Sequence, residues 1–247
     1  MFESTPELLF FCLWLAVIAA LYGSVGQSGA SGFVALMALY GFAPITLKAT
    51  ALALNILVSA VIAWQFARSG HFRWPILRPF LLGSLPAAWL GGAISLPGHW
   101  FQFLLGILLI IAGLSLLIRR LDVTVSDSAP PPFAALLAGV IIGLASGLTG
   151  MGGGILLAPL LLWQRWASVR TTAAITAVFI LLNSVLALLG HLSHAGSLPG
   201  NLHWFAAAAM AGGMVGARIG SRFLRAATVR TILALTLMFA GFRLLSS

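Results

Sequence analysis

Ten apolar runs divide the chain, at residues 8–22, 30–43, 49–67, 76–96 and 100–118 and then at 133–146, 155–164, 172–190, 202–217 and 228–245, and each predicts a helix. The second five echo the first. Between the two sets lies the only polar, proline-rich stretch, Arg119-Arg120-Leu121-Asp122-Val123-Thr124-Val125-Ser126-Asp127-Ser128-Ala129-Pro130-Pro131-Pro132. The first two runs of each set are short for a bilayer that needs about 20 apolar residues per helix, and the next three are nearer full length. Each short pair is therefore expected to form a hairpin that returns to its starting side, whether re-entrant or made of two broken spans.

Glycine interrupts both short pairs at the same place. Gly23-Ser24-Val25-Gly26-Gln27-Ser28-Gly29-Ala30-Ser31-Gly32 in the first half lies in register with Gly147-Leu148-Thr149-Gly150-Met151-Gly152-Gly153-Gly154 in the second. Glycine in a helix is about 1 kcal/mol worse than alanine, so a repeated cluster points to a site. Lys48-Ala49-Thr50 parallels Arg170-Thr171-Thr172, and Gly70-His71-Phe72-Arg73-Trp74 parallels Gly200-Asn201-Leu202-His203-Trp204. Weak internal symmetry of this kind is a signature of transporter repeats.

Composition agrees. The 247 residues are 61% hydrophobic and 7% charged, with a mean hydropathy of +1.09. These values belong to a polytopic membrane protein rather than to a soluble one of roughly 25% charged residues. The acids are confined to Glu3, Glu7, Asp122 and Asp127, and the net charge of +9 lies on arginines between the apolar runs. A nucleic-acid binder would gather that charge on one soluble face, so no nucleic-acid partner is expected. The single cysteine, Cys12, excludes an intrachain disulfide and a cysteine zinc cluster, and no metal or cofactor motif is present. The first run follows Glu3 and Glu7 with no basic residue ahead of it, the wrong charge for a secretory signal, so it is read as part of the mature fold.

Arginine placement predicts topology. With the 119–132 linker in the cytoplasm, Arg68, Arg73, Arg78, Arg119, Arg120, Arg165, Arg170, Arg218, Arg222, Arg225 and Arg230 fall inside, and only Lys48 and Arg243 outside. Three spans after each hairpin is an odd number, so the halves take opposite orientations and both termini are extracytoplasmic. Trp74, Trp100, Trp163, Trp166 and Trp204 fit interfacial anchors. The expectation is an all-α polytopic protein of the inner or plasma membrane, with eight to ten membrane segments. Its organisation is a first repeat at 1–118, a linker at 119–132 and an inverted second repeat at 133–247. The competing arrangement is a parallel repeat with one broken helix per short pair. The pattern leaves the oligomeric state open, a homodimer included.

Non-helical backbone at membrane depth is tolerated only when buried in protein or lining a wet cavity. Helices restarting near Ala30 and Ile155 would offer unpaired amides and a positive dipole end to an anion. The candidate substrate-binding residues are Gly26, Gln27, Ser28, Gly29 and Ser31 in the first break and Thr149, Gly150, Met151, Gly152, Gly153 and Gly154 in the second, with Asn55 and Asn183 facing the cavity. The first break supplies the side-chain donors and should set selectivity. Lys48 and Arg170 are candidate vestibule cations, though a cation at a span end is more often an interfacial anchor. The spacings Gly139-x-x-x-Gly143 and Gly212-Gly213-x-x-Gly216 read instead as helix packing, and His191 and His194 as headgroup-level loop residues.

The stretch Gly147-Leu148-Thr149-Gly150-Met151-Gly152-Gly153-Gly154-Ile155-Leu156-Leu157-Ala158-Pro159-Leu160-Leu161 resembles the G-x-x-G-x-G-G-G-x-x-x-x-P-x-L signature of the TauE/SafE family of sulfite exporters and anion permeases. The resemblance spans essentially the whole chain. It implies transport, usually export, of a sulfur-containing oxyanion such as sulfite or an organosulfonate. Gln27-Ser28-Gly29-Ala30 departs from the family's glycine-rich first copy.

No acid falls inside an apolar run, and an anion leaving down the membrane potential gains about 2.3 kcal/mol per charge per 100 mV, so uncoupled export is adequate. Two other classes remain. An intramembrane serine protease is suggested by Gly29-Ala30-Ser31-Gly32, which resembles the rhomboid G-x-S-G motif, with His191 or His194 as base. An anion channel would share the composition.

Overall fold

The computed structural model describes residues 5–24, 27–68, 70–118, 128–194, 200–220 and 226–246. Gly26, linker positions 119–127, Arg222 and Arg225 lie outside the described residues. The described residues form ten α-helices: α1 Thr5–Ser24, α2 Ala30–Leu39, α3 Pro44–Arg68, α4 Trp74–Ala93, α5 Gly98–Ile118, α6 Pro132–Thr149, α7 Gly154–Trp163, α8 Val169–His194, α9 Leu202–Gly220 and α10 Ala226–Leu245. No strand occurs among the described residues. Among the described residues five helices, α1, α3, α5, α6 and α8, are long and apolar enough to cross a membrane.

The first run of each half is longer than its apolar stretch suggested. Helices α1 and α6 have 20 and 18 residues, and only α2 and α7, with ten each, are short. Ten residues rise about 15 Å, half the thickness of a bilayer core. α6 stays helical through Gly143 and Gly147 because those positions lie against the α4 backbone, where a Cβ would approach the carbonyl oxygens of Ser84 and Ala88 to 2.3 Å.

Each short helix turns back toward the start of the helix before it, α2 in contact with α1 and α7 packed chiefly on α8. At one end of the first hairpin the Tyr22 and Ser31 hydroxyls meet at 2.8 Å, and at the other the Phe11 ring packs on Tyr40 and Phe42 at 5.0 and 5.4 Å. In the second hairpin the tip residue Gly153 lies against Ile142 and Ser146. At its base the Ser128 amide donates to the Trp166 carbonyl at 3.0 Å, bringing the exit of α7 to the entry of α6.

Between hairpins and long helices the halves exchange partners. α4 runs parallel to α6, with Phe80, Ser84 and Ala88 opposite Gly139, Gly143 and Gly147. α9 runs parallel to α1, with Gly212 and Gly216 against Ala16 and Ala20. α5 and α10 pair antiparallel, Gly106 facing Gly241 and Gly113 facing Ala234. Small residues allow this backbone-to-backbone approach where lipid offers no hydrophobic drive.

α3 and α8 form the centre, with 67% and 56% of their spans buried against 28% for α1. Leu13, Leu82, Phe133, Ile141 and Phe239 face outward, as a lipid-facing surface requires. Trp74, Trp100, Trp163 and Trp204 are half or more exposed near helix ends, while Trp166 is partly covered beside Phe80.

Candidate functional site

The two glycine breaks adopt matching backbone. Gly29 (φ 85°) caps the start of α2 and Gly153 (φ 74°) that of α7, both in the left-handed region that favours glycine. Neither helix start has a side-chain cap, so their first-turn amides lack the partner that Ser, Asp or Asn would supply.

Both breaks line one small cavity. Gln27, Ser28, Gly29 and Ser31 contribute from the first, Gly154 and Ile155 from the second, and Tyr22, Thr176 and Ile180 close it. Its volume of about 10 Å³ is room for about one water molecule. Ser28 is buried with its hydroxyl unpartnered, whereas Ser31 is held by Tyr22.

The rest of the second break is tied to α3. Asn55 Nδ2 donates to the Gly150 carbonyl at 2.9 Å, and its Oδ1 has no partner. A Cβ on Gly152 would lie 3.3 Å from Asn55 Nδ2 and 3.2 Å from the Ser184 hydroxyl, which is itself buried and unpartnered. Unpartnered polar atoms at this depth are costly unless something else satisfies them.

Other expected site residues lie elsewhere. Thr149 donates to the Ala145 carbonyl of its own helix, Asn183 donates to Phe179 of α8, and Met151 belongs to the apolar core. Arg170 is exposed. Lys48 is 4% exposed and is no free vestibule cation: its three ammonium donors go to the carbonyls of Gly91, Gly92 and Ile94 at 2.8, 2.7 and 2.9 Å, closing the end of α4. His191 is 1% exposed and lies within α8 rather than in a loop; His194, also in α8, is exposed and bonds Ser193 at 2.8 Å. Ser31 and His191 line different cavities and share no hydrogen bond, so the Ser31–His191 pair that proteolysis would need is not built.

The profile of the family described as Sulfite exporter TauE/SafE matches residues 10–244. The chain belongs to the TauE/SafE family. A Sinorhizobium fredii protein called "Probable membrane transporter protein y4hK" is 44% identical over 233 residues, 93% of this chain and 94% of that one. A Bacillus subtilis protein called "Probable membrane transporter protein YunE" is 24% identical over 191 residues, 67% of this chain and 68% of its own. No solved structure matches. This TauE/SafE member is a multi-pass membrane transporter and not an enzyme.

Sequence reasoning missed Tyr22 and Ile180 in the cavity wall of this TauE/SafE chain. An aromatic or isoleucine inside an apolar run reads as core, and only the hairpin geometry turns these two toward the break. Thr176 carried a signal, being polar within a span, although its hydroxyl donates to Thr172.

Proposed function

We propose that this transporter exports a sulfur-containing oxyanion, sulfite or an organosulfonate, by alternating access around the two hairpin tips. The observation that carries the reading is the cavity shared by residues 27–31 and 154–155, with the Ser28 hydroxyl and two uncapped helix starts around it. Helix starts carry partial positive charge and unpaired amides, which suit an oxyanion better than a cation or an apolar solute. The Gln27 and Ser28 side chains set selectivity, because the second break offers little besides backbone.

The inverted-repeat arrangement is part of the proposal. It is supported by the parallel pairings α1 with α9 and α4 with α6 and by the antiparallel pairing α5 with α10, which a two-fold axis in the membrane plane would generate. The arginine distribution supports a cytoplasmic 119–132 linker with both termini outside. A cavity of about 10 Å³ is too small for an oxyanion with its shell, so this state is closed at the tips, and transport proceeds by rocking of the halves. Glu7, in the first turn of α1, is the only acid among the described helices, so no intramembrane carboxylate is at hand for ion coupling. Export down the membrane potential is the simpler mechanism.

A thermal-shift screen of the purified protein against sulfite, thiosulfate, sulfate, sulfoacetate, taurine and simple carboxylates tests this. A ligand at a hundred times its Kd adds about 2.7 kcal/mol to stability, so sulfite or a sulfonate should raise the melting temperature and the carboxylates should not. Silence toward every anion overturns the reading.

A further inference from the structure

A second, larger cavity of about 240 Å³ lies where the start of α3, the 94–98 connection, α5, the end of α6 and the end of α8 converge. Lys48, Ser95, Phe101, Leu148 and His191 are among its walls. We infer that it is a second oxyanion site, at which the substrate pauses on the extracytoplasmic side of the hairpin tips with His191 as its hydrogen-bonding ligand. The inference rests on the transport reading and its topology, which put the ends of α4 and α8 outside.

Three observations converge here. His191 is 1% exposed, yet neither ring nitrogen has a partner, although an imidazole always has at least one N–H to donate. Lys48 is a buried cation that no carboxylate reaches among the described residues; its donors are all engaged by carbonyls, so toward this cavity it offers positive charge without a hydrogen bond. A buried charge compensated only by dipoles favours a mobile counter-ion beside it. Size separates the two cavities: the tip cavity holds about one water, whereas this one admits a four-heavy-atom oxyanion with accompanying water.

Position connects them. Leu148 lines the cavity two residues before Gly150, and a Cβ on Gly150 would lie 3.2 Å from the Lys48 backbone. Motion of the second hairpin tip therefore reaches the cavity wall directly, as a pathway between the two sites requires.

Sulfite flux measured in right-side-out and inside-out membrane vesicles, with sulfite varied on one face at a time, tests the inference in wild type, His191→Leu and His191→Gln. Loss of one hydrogen bond to a charged ligand should raise the half-saturating sulfite concentration on the extracytoplasmic face about tenfold in His191→Leu, with a smaller rise in His191→Gln and no change on the cytoplasmic face. Unchanged constants on both faces with normal wild-type flux would overturn the second site and leave the transport reading standing, as would equal changes on both faces, which indicate a structural role. Absence of wild-type flux for sulfite and for sulfoacetate and taurine alike would overturn both. Should His191→Leu fail to accumulate, nitrogen-15 histidine spectra of the wild type decide: sulfite shifts the His191 imidazole signals if the site exists and leaves them in place if it does not.

Discussion

Asn55 of α3 donates its side-chain amide to the carbonyl oxygen of Gly150, 2.9 Å away in the opposite half of the chain. Gly150 ends α6 in the left-handed conformation, and its own amide is held by the Ser146 carbonyl at 2.8 Å. The bond thus fixes the second hairpin tip to the most buried of the five membrane-length helices. Asn55→Ala leaves a buried carbonyl without its donor and should destabilise the protein by about 1–3 kcal/mol. Asn183→Ala, which removes only a bond to its own helix backbone, should be milder. Thermal unfolding in detergent compares the two, and equal losses would mean that the inter-half bond holds nothing in place.

The glycines that open α2 and α7 make a paired prediction. At φ 85° and 74° an alanine is strained by roughly 1–3 kcal/mol. At Gly29 the new methyl would also lie 3.0 Å from the Phe33 ring. Gly98 opens α5 with nothing within 4 Å, so Gly98→Ala should stay within about 0.5 kcal/mol of wild type. Gly29→Ala and Gly153→Ala should each lower the melting temperature and sulfite flux together. A neutral Gly29→Ala would remove the argument that glycine is required there.

Lys48 and Arg170, matched in sequence, should respond differently. Lys48→Met leaves the carbonyls of Gly91, Gly92 and Ile94 without their donor and should cost about 1–3 kcal/mol, because the Gly91–Gly92 segment it holds packs directly on Gly147 and Ala187. Arg170→Met, at an exposed position, should change stability by less than about 0.5 kcal/mol. Chemical or thermal denaturation of both variants checks this; equal effects would show that Lys48 acts as a surface anchor.

These contrasts mark where the sequence was legible. The ten helices were readable because apolar runs and the glycine and proline breaks between them report directly on span boundaries. The alignment of Gly29 with Gly153 was readable because a left-handed cap restricts residue type. The lengths of α1 and α6 were not: hydropathy alone ended α6 near residue 146, while Gly147 beyond it remains helical in contact with α4. The role of Lys48 was hidden because its three acceptors lie more than forty residues further along the chain. His191 lies in the last turn of a span, a pattern shared by headgroup anchors, and only the packing at the end of α8 buries it.

The central claim is that the hairpin tips bind the transported oxyanion, and Ser28 exposes it most directly. Its buried hydroxyl has no partner within the protein, so Ser28→Ala removes an unsatisfied group and should leave thermal stability unchanged or slightly raised. The decisive measurement is sulfite efflux from proteoliposomes containing wild type or Ser28→Ala, with the melting temperature followed in parallel. The account predicts saturable efflux in wild type and a drop in kcat/KM of about tenfold in Ser28→Ala with no loss of stability. Wild-type efflux from a stable Ser28→Ala protein would contradict it.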